Sequence, residues 1–291
     1  MIPKRGGGER PLGIPTIRDR VVQTAAKLVL EPILEADFEP NAYGYRPQRS
    51  AQDAVREVHR ELRDGYWEVV DADLSRYFDT IPHAELLQSL ARRVVDGKLL
   101  RLIKLWLTAE VAERDESRRV HRSGGKGSRQ GTPQGGVISP LLANLYMNRF
   151  LKHWRRQGKG QQFRARLINY ADDFVILSVG RAAQALEWTT KAMTALQLNL
   201  NQAKTGIRNA RREHFDFLGY SFGPEQLRPP QSGWYLAATP SKRSLGQLSD
   251  RPAASGQAGK EHGWACRCRG EPISLLPTCG RQVGRMLTGA L

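Results

Sequence analysis

The chain has 291 residues, with 45 Lys and Arg against 29 Asp and Glu, a formal net charge of +16, and only 3 cysteines, all beyond position 265. That length suggests about two domains or subdomains with room for a real core, and so few cysteines exclude a disulfide-stapled secreted scaffold. No apolar run reaches the ~18 residues that span a bilayer and no signal-peptide core opens the chain, so the reading is a soluble, intracellular protein whose charge suits a polyanionic partner, above all nucleic acid.

Residues 1–4 and 10–14 flank a glycine run at 6–8, which predicts a basic hairpin. Apolar residues recur at helical spacing over 17–34, with Asp19 placed to start the helix and Pro32 to bend or end it. Residues 67–74 alternate as a strand, with Val70, Ala72 and Leu74 on one face and Asp71 and Asp73 on the other. After Pro82 a broken helical tract is expected to about residue 113, then a Gly-, Ser- and Arg-rich loop over 117–130. The next helix, about 139–154, has Pro140 in its first turn, where a missing N–H costs nothing. Residues 166–170 and 174–178 read as a hairpin joined by Ala171, Asp172 and Asp173. A helix over about 183–196, a turn near 199–201 and a strand over 215–222 follow; beyond about 245 the pattern loses all periodicity.

Two adjacent carboxylates at a hairpin tip, Asp172 and Asp173, raise each other's pKa and are comfortable only beside a cation. Mg²⁺ suits them, because it takes one or two carboxylates and completes its octahedron with water and substrate phosphates. An isolated Asp-Asp pair would otherwise read as a solvated turn. The strand ending at Asp73 supplies a further carboxylate. If the two strands are neighbours in one sheet, the group can clamp the attacking and leaving oxygens of a phosphoryl transfer. Asp71 reads as a helper on the same face and Asp79 as a brace for the following turn. The segment from Gly131 through Gln134 to Asn144 places a flexible turn and an amide ahead of a helix, where backbone N–H groups can approach a sugar-phosphate. It is not a P-loop, since Gly127 follows Gly125 and Lys126 where Ser or Thr is required. His83 reads as structural, Cys266 and Cys268 lack zinc-knuckle spacing, and residues 118–129 suit either a template backbone or a solvated loop.

Seven segments, taken in order, resemble the reverse transcriptases encoded by bacterial group II introns. They are Arg10-Pro-Leu-Gly-Ile-Pro-Thr-Ile-Arg-Asp-Arg-Val-Val-Gln23, Asn41-Ala-Tyr-Gly-Tyr-Arg-Pro47, Asp73-Leu-Ser-Arg-Tyr-Phe-Asp-Thr-Ile-Pro82, Thr132-Pro-Gln-Gly-Gly-Val-Ile-Ser-Pro-Leu-Leu-Ala-Asn144, Tyr170-Ala-Asp-Asp173, Leu198-Asn-Leu-Asn-Gln-Ala-Lys-Thr205 and Phe217-Leu-Gly-Tyr220. The resemblance implies an α+β right-hand polymerase. Residues 1–63 would begin the fingers, and 64–223 would form a palm of antiparallel strands backed by helices, with a fingers segment inserted at about 90–135.

The resemblance also implies that Asp73, Asp172 and Asp173 are catalytic and that Asp73, Leu74 and Asp172 hold two Mg²⁺ ions, or Mn²⁺ in their place. A primer 3′-hydroxyl attacks the α-phosphate of a dNTP and pyrophosphate leaves, so the protein's work is positioning and charge neutralisation. Lys4 and Arg10 match residues that grip the triphosphate, and Phe78 matches the steric gate against a ribose 2′-hydroxyl. Gln134 matches a lining residue of the nucleotide pocket, and Lys204 a lysine able to protonate the leaving pyrophosphate. The implied partners are an RNA template, in this family the group II intron RNA, a DNA primer and dNTPs, with no membrane. The match stops at both ends: the chain opens inside the fingers hairpin, and past Pro240-Ser-Lys242 a degenerate or disordered tail, counted from 224 to 291, stands where a helical thumb or maturase domain is expected. The implied protein is a truncated RNA-directed DNA polymerase, the alternative being a non-catalytic RNA-binding remnant.

Overall fold

The computed structural model describes residues 2–3, 9–10, 13–114, 120–133, 135–226, 234–242 and 244. The N-terminal hairpin forms from β1 (Ile2–Pro3) and β2 (Glu9–Arg10). Helix α1 (Ile17–Glu35) is capped by Thr16 rather than begun by Asp19: the Thr16 hydroxyl accepts the Asp19 N–H at 3.1 Å and donates to the Asp19 carboxylate at 2.7 Å. Pro32 falls in the last turn, so α1 runs on to Glu35. Helix α2 (Ala51–Arg63) has no counterpart among the expected elements, although Ser50 and Asp53 form a capping box at its start.

Strand β3 (Glu68–Asp73), α3 (Tyr77–Thr80), α4 (His83–Ala91) and α5 (Gly97–Leu107) follow. The expected helix to 113 and loop from 117 are corrected here. The chain instead forms a hairpin of β4 (Glu110–Arg114) and β5 (Val120–Gly124), since no apolar helical stripe continues past Trp106 and Leu107. Next come α6 (Ser139–Arg156), α7 (Lys159–Gln162), β6 (Ala165–Tyr170), β7 (Asp173–Ser178), α8 (Ala182–Ala195) and β8 (Gly206–Asn209). The strand expected over 215–222 is two, β9 (Phe215–Phe217) and β10 (Tyr220–Gln226), because Leu218 and Gly219 take φ of 50° and 81° and reverse the chain. Strand β11 (Trp234–Pro240) pairs along all of β10, so the ordered fold passes the boundary expected at 223. The cysteines lie outside the described residues.

The central sheet is antiparallel, in the order β6-β7-β3-β8. Its period of two splits the apolar residues between two cores. Val70, Ala72, Leu74, Leu167, Phe174 and Ile176 face α1, α4, α5, α6 and α8, whereas Val69, Ile168, Val175 and Leu177 face α2 and the small sheet β11-β10-β9. This is the expected α+β class with an antiparallel sheet backed by helices.

Residues 41–46 form a plate behind the tip of the β6–β7 hairpin. Asn41 Nδ2 donates to the Leu167 carbonyl at 2.9 Å, the Tyr43 N–H to the Asn169 carbonyl at 2.8 Å, and the buried Arg46 ties the segment to Glu35 and to the carbonyls of Glu39 and Ala42. Gly44 is pressed on the tip so closely that a Cβ would stand 2.4 Å from the Ala171 nitrogen, while Asn144 Nδ2 holds the Gly44 carbonyl at 2.6 Å. Gly44→Ala is therefore expected to cost ~1–3 kcal/mol, the usual price of overpacking. Gly206→Ala, where a Cβ meets nothing within 4 Å, should cost nothing; urea unfolding of both variants checks this.

Candidate active site

The register of β3 on β7 makes Asp73 and Asp173 direct partners on neighbouring strands, with Asp71 opposite Val175. Asp173 already opens β7 and pairs with Tyr170, so the turn is Ala171 and Asp172 alone, one residue shorter than expected. Ala171 takes a φ of 56°, and its carbonyl is held by Asn169 Nδ2 at 2.9 Å. Asp73, Asp172 and Asp173 thus gather at one edge of one sheet.

The 198–205 segment wraps the end of β3. Asp73 Oδ2 accepts from Asn201 Nδ2 at 3.1 Å and lies 3.3 Å from Lys204 Nζ, the Asp73 carbonyl accepts the Asn201 N–H at 2.8 Å, and Leu74 bridges to Leu200. The Leu74 side chain is buried, so its carbonyl is the one group it can offer a cation. Crowding by protein, then the charges of Asp172, Asp73 and Asp71, push the Asp173 carboxyl up, against the pull of Lys204. The residue is exposed on one side, which leaves its carboxylate open to an incoming cation. Burial pushes the Asp71 carboxyl up to about 6 against the Arg208 guanidinium, with Asp73 and Asp216 adding to the rise.

Among the described residues no three Asp, Glu, His or Cys side chains stand close enough to hold a metal as they are. The donor chemistry nonetheless fits a hard divalent cation: the register gathers the acidic residues at one sheet edge, and the charges of Asp172, Asp73 and Asp71 raise the cost of ionising Asp173.

Phe78 is half-buried beside Tyr77, the ring centroids 5.8 Å apart and edge-on. Tyr77 is buried, its hydroxyl donating to the Ala143 carbonyl at 2.7 Å, and burial followed by the Asp172 charge pushes its pKa well up. The Phe78 carbonyl accepts the Thr132 N–H at 2.7 Å, which fastens α3 to the loop before α6. His83 Nε2 lies 2.6 Å from the Gly131 carbonyl, a structural contact as expected. Gln23 is the residue that sequence reasoning gave no role. Its Oε1 accepts the Val137 N–H at 2.8 Å, and the signal was available as an amide on the buried stripe of Ala26, Leu30 and Leu34. Asn201 gave no comparable signal. Lys4, Gln134 and the Arg10 side chain lie outside the described residues.

Because the folded Asp71 binds its proton more tightly than the unfolded chain does, stability falls as pH rises from about 4 through about 6. Asp71→Asn is expected to raise stability by about 1–2 kcal/mol at pH 7.5, the gain fading as pH falls to about 4. Urea unfolding in EDTA at several pH values measures it, and a gain independent of pH would refute the cause.

Residues 2–222 match the reverse transcriptase (RNA-dependent DNA polymerase) family. The chain is similar to Protein YkfC of Escherichia coli (strain K12), at 36% identity over 75% of this chain and 64% of that protein. It is also similar to the Group II intron-encoded protein LtrA of Lactococcus lactis subsp. cremoris, at 38% identity over 48% of this chain and 22% of that one. The chain thus spans less than two thirds of the length of either relative. In structure it is similar to apo telomerase from Candida tropicalis truncated from its C-terminal domain, with a TM-score of 0.54 over 69% of this chain and 43% of that one; at 14% identity the likeness is one of fold.

Proposed function

The chain belongs to the reverse transcriptase (RNA-dependent DNA polymerase) family, and from that premise we propose that it is an RNA-directed DNA polymerase of the group II intron type. It joins the α-phosphate of a dNTP to the 3′-hydroxyl of a DNA primer paired with an RNA template, group II intron RNA included, and releases pyrophosphate. The observation that carries this reading is the register that sets Asp73 beside Asp173, with Asp172 in the adjoining turn. Residues 1–63 serve as the first part of the fingers and the central sheet as the palm.

Asp73, Asp172 and the Leu74 carbonyl would hold two Mg²⁺ ions, whose chemistry is to neutralise charge at the attacking and leaving oxygens. Asp173 completes the acidic field. Lys204 is exposed and held by a single carboxylate, Asp73, so it is free to turn to the triphosphate and give the leaving pyrophosphate a proton. The Phe78 ring is backed by Tyr77, and its backbone is fixed by Thr132. It therefore stands firm against a ribose 2′-hydroxyl.

Extension of a labelled DNA primer on an RNA template tests the proposal. Asp172→Asn with Asp173→Asn should lower the rate by at least ~10²–10³, the scale of lost electrostatic stabilisation. Phe78→Ala should raise ribonucleotide use relative to deoxynucleotide use by ~10-fold or more. A wild-type chain that binds RNA in a salt-sensitive manner and extends nothing would replace this reading with that of an RNA-binding remnant.

A further inference from the structure

Away from the carboxylates, helices α4, α6 and α8 enclose a cleft of about 420 Å³. On α6, Arg149, Lys152 and Arg156 follow one another at helical spacing along one face, joined across the cleft by Arg92 and Arg93 from the end of α4. The one carboxylate inside is Asp37, which pairs with both Arg93 and Lys152 and so fixes those two cations in place. Four positive charges remain in excess. The Arg92 and Arg156 side chains are exposed and make no ion pair or hydrogen bond among the described residues, and within those residues the Arg149 side chain meets the Glu85 carbonyl, at 3.2 Å, and the Tyr146 ring. The floor from α8 is small and neutral, Ala192 and Ala195, which leaves the space open.

The α6 cations are about 5 Å apart along the helix axis, on the scale of successive phosphates of a nucleic-acid strand. They also lie beyond the acidic edge along the helix: Asn144 holds Gly44 against the tip of the β6–β7 hairpin, and with a rise of about 1.5 Å per residue Arg149 and Arg156 stand roughly 8 and 18 Å further along α6.

We propose that this cleft is a second RNA-binding site, which takes the phosphodiester backbone of an RNA segment outside the primer–template duplex. The choice of RNA rests on the polymerase reading above; the anion-binding chemistry stands without it.

The test is binding of a fluorescently labelled RNA hairpin to the full chain, by anisotropy over a range of KCl concentrations. Arg92→Gln with Arg156→Gln should reduce the slope of log K against log salt by about 1–2 units, close to one per lost phosphate contact, and weaken binding about 10-fold at low salt. Arg63→Gln with Arg212→Gln, which removes the same charge from the opposite side of the sheet, should change affinity less than about 2-fold, since screening isolates remote charges. Arg92→Lys with Arg156→Lys, which keeps the charge, should keep the slope, whereas damage to folding would not spare it. The proposal is overturned if the cleft and control pairs behave alike, or if a DNA duplex of the same sequence loses as much as the RNA. Primer extension by the same proteins separates the two claims. A wild type that extends nothing while the cleft pair still loses RNA refutes the polymerase reading alone.

Discussion

The acidic edge depends on the antiparallel register between β3 and β7. Side chains alternate across a strand, so a slip of one residue would drive Asp71 and Asp73 into the helix-side core and turn Ala72 and Leu74 out of it. The two faces of the sheet cannot accept that exchange. One is packed by five helices and the other by α2 and a three-stranded sheet. The apolar residues therefore decide where the carboxylates stand, and the burial of Val69, Val70 and Ala72 is as much a part of the site as Asp73 itself.

The hairpin tip carries a second constraint of the same kind. Ala171 occupies a left-handed conformation that costs a non-glycine residue of order 1 kcal/mol, and the surroundings over-determine it. Gly44 lies against its nitrogen, Asn169 holds its carbonyl, and residues 41–43 form a short parallel bridge to β6. This accounts for a glycine inside the Asn41-Ala-Tyr-Gly-Tyr-Arg-Pro47 segment, which is remote in sequence from the aspartates it supports. The acidic edge is purchased with stability, as the raised carboxyls of Asp71 and Asp173 show. A cation would remove that cost in the act of binding.

Much of this was legible because the carboxylates lie in short ordered motifs and the strand carrying Asp73 alternates cleanly. The turn is one residue shorter than its sequence suggests because only the pairing of Tyr170 with Asp173 reveals where β7 begins. Helix α2 is hard to see in the sequence because it is rich in charged residues, with an apolar face reduced to Ala54, Val55, Val58 and Leu62. The β4–β5 hairpin is hidden for a related reason: polar strands that pair with each other in a small separate ribbon carry little apolar alternation. Leu218 and Gly219 looked like strand because an apolar residue at positive φ has no signature of its own.

Helix α6 joins the two ends of the molecule's chemistry. Its first half is buried against the sheet, and its start takes up the loop that Gln23 and Ser139 brace. Its second half turns basic. A cationic C-terminus favours any helix through the macrodipole, but that effect is confined to the last turn. It can account for Arg155 and Arg156, and Arg155 is already paired with Glu39. It does not reach Arg149 or Lys152, nor does it explain why Arg92 and Arg93 come from another helix to the same opening. Like charges converging on one cleft repel one another and work against folding, and a single Asp37 offsets only part of that repulsion. An anion of the size and charge spacing of a nucleic-acid backbone would relieve the remainder.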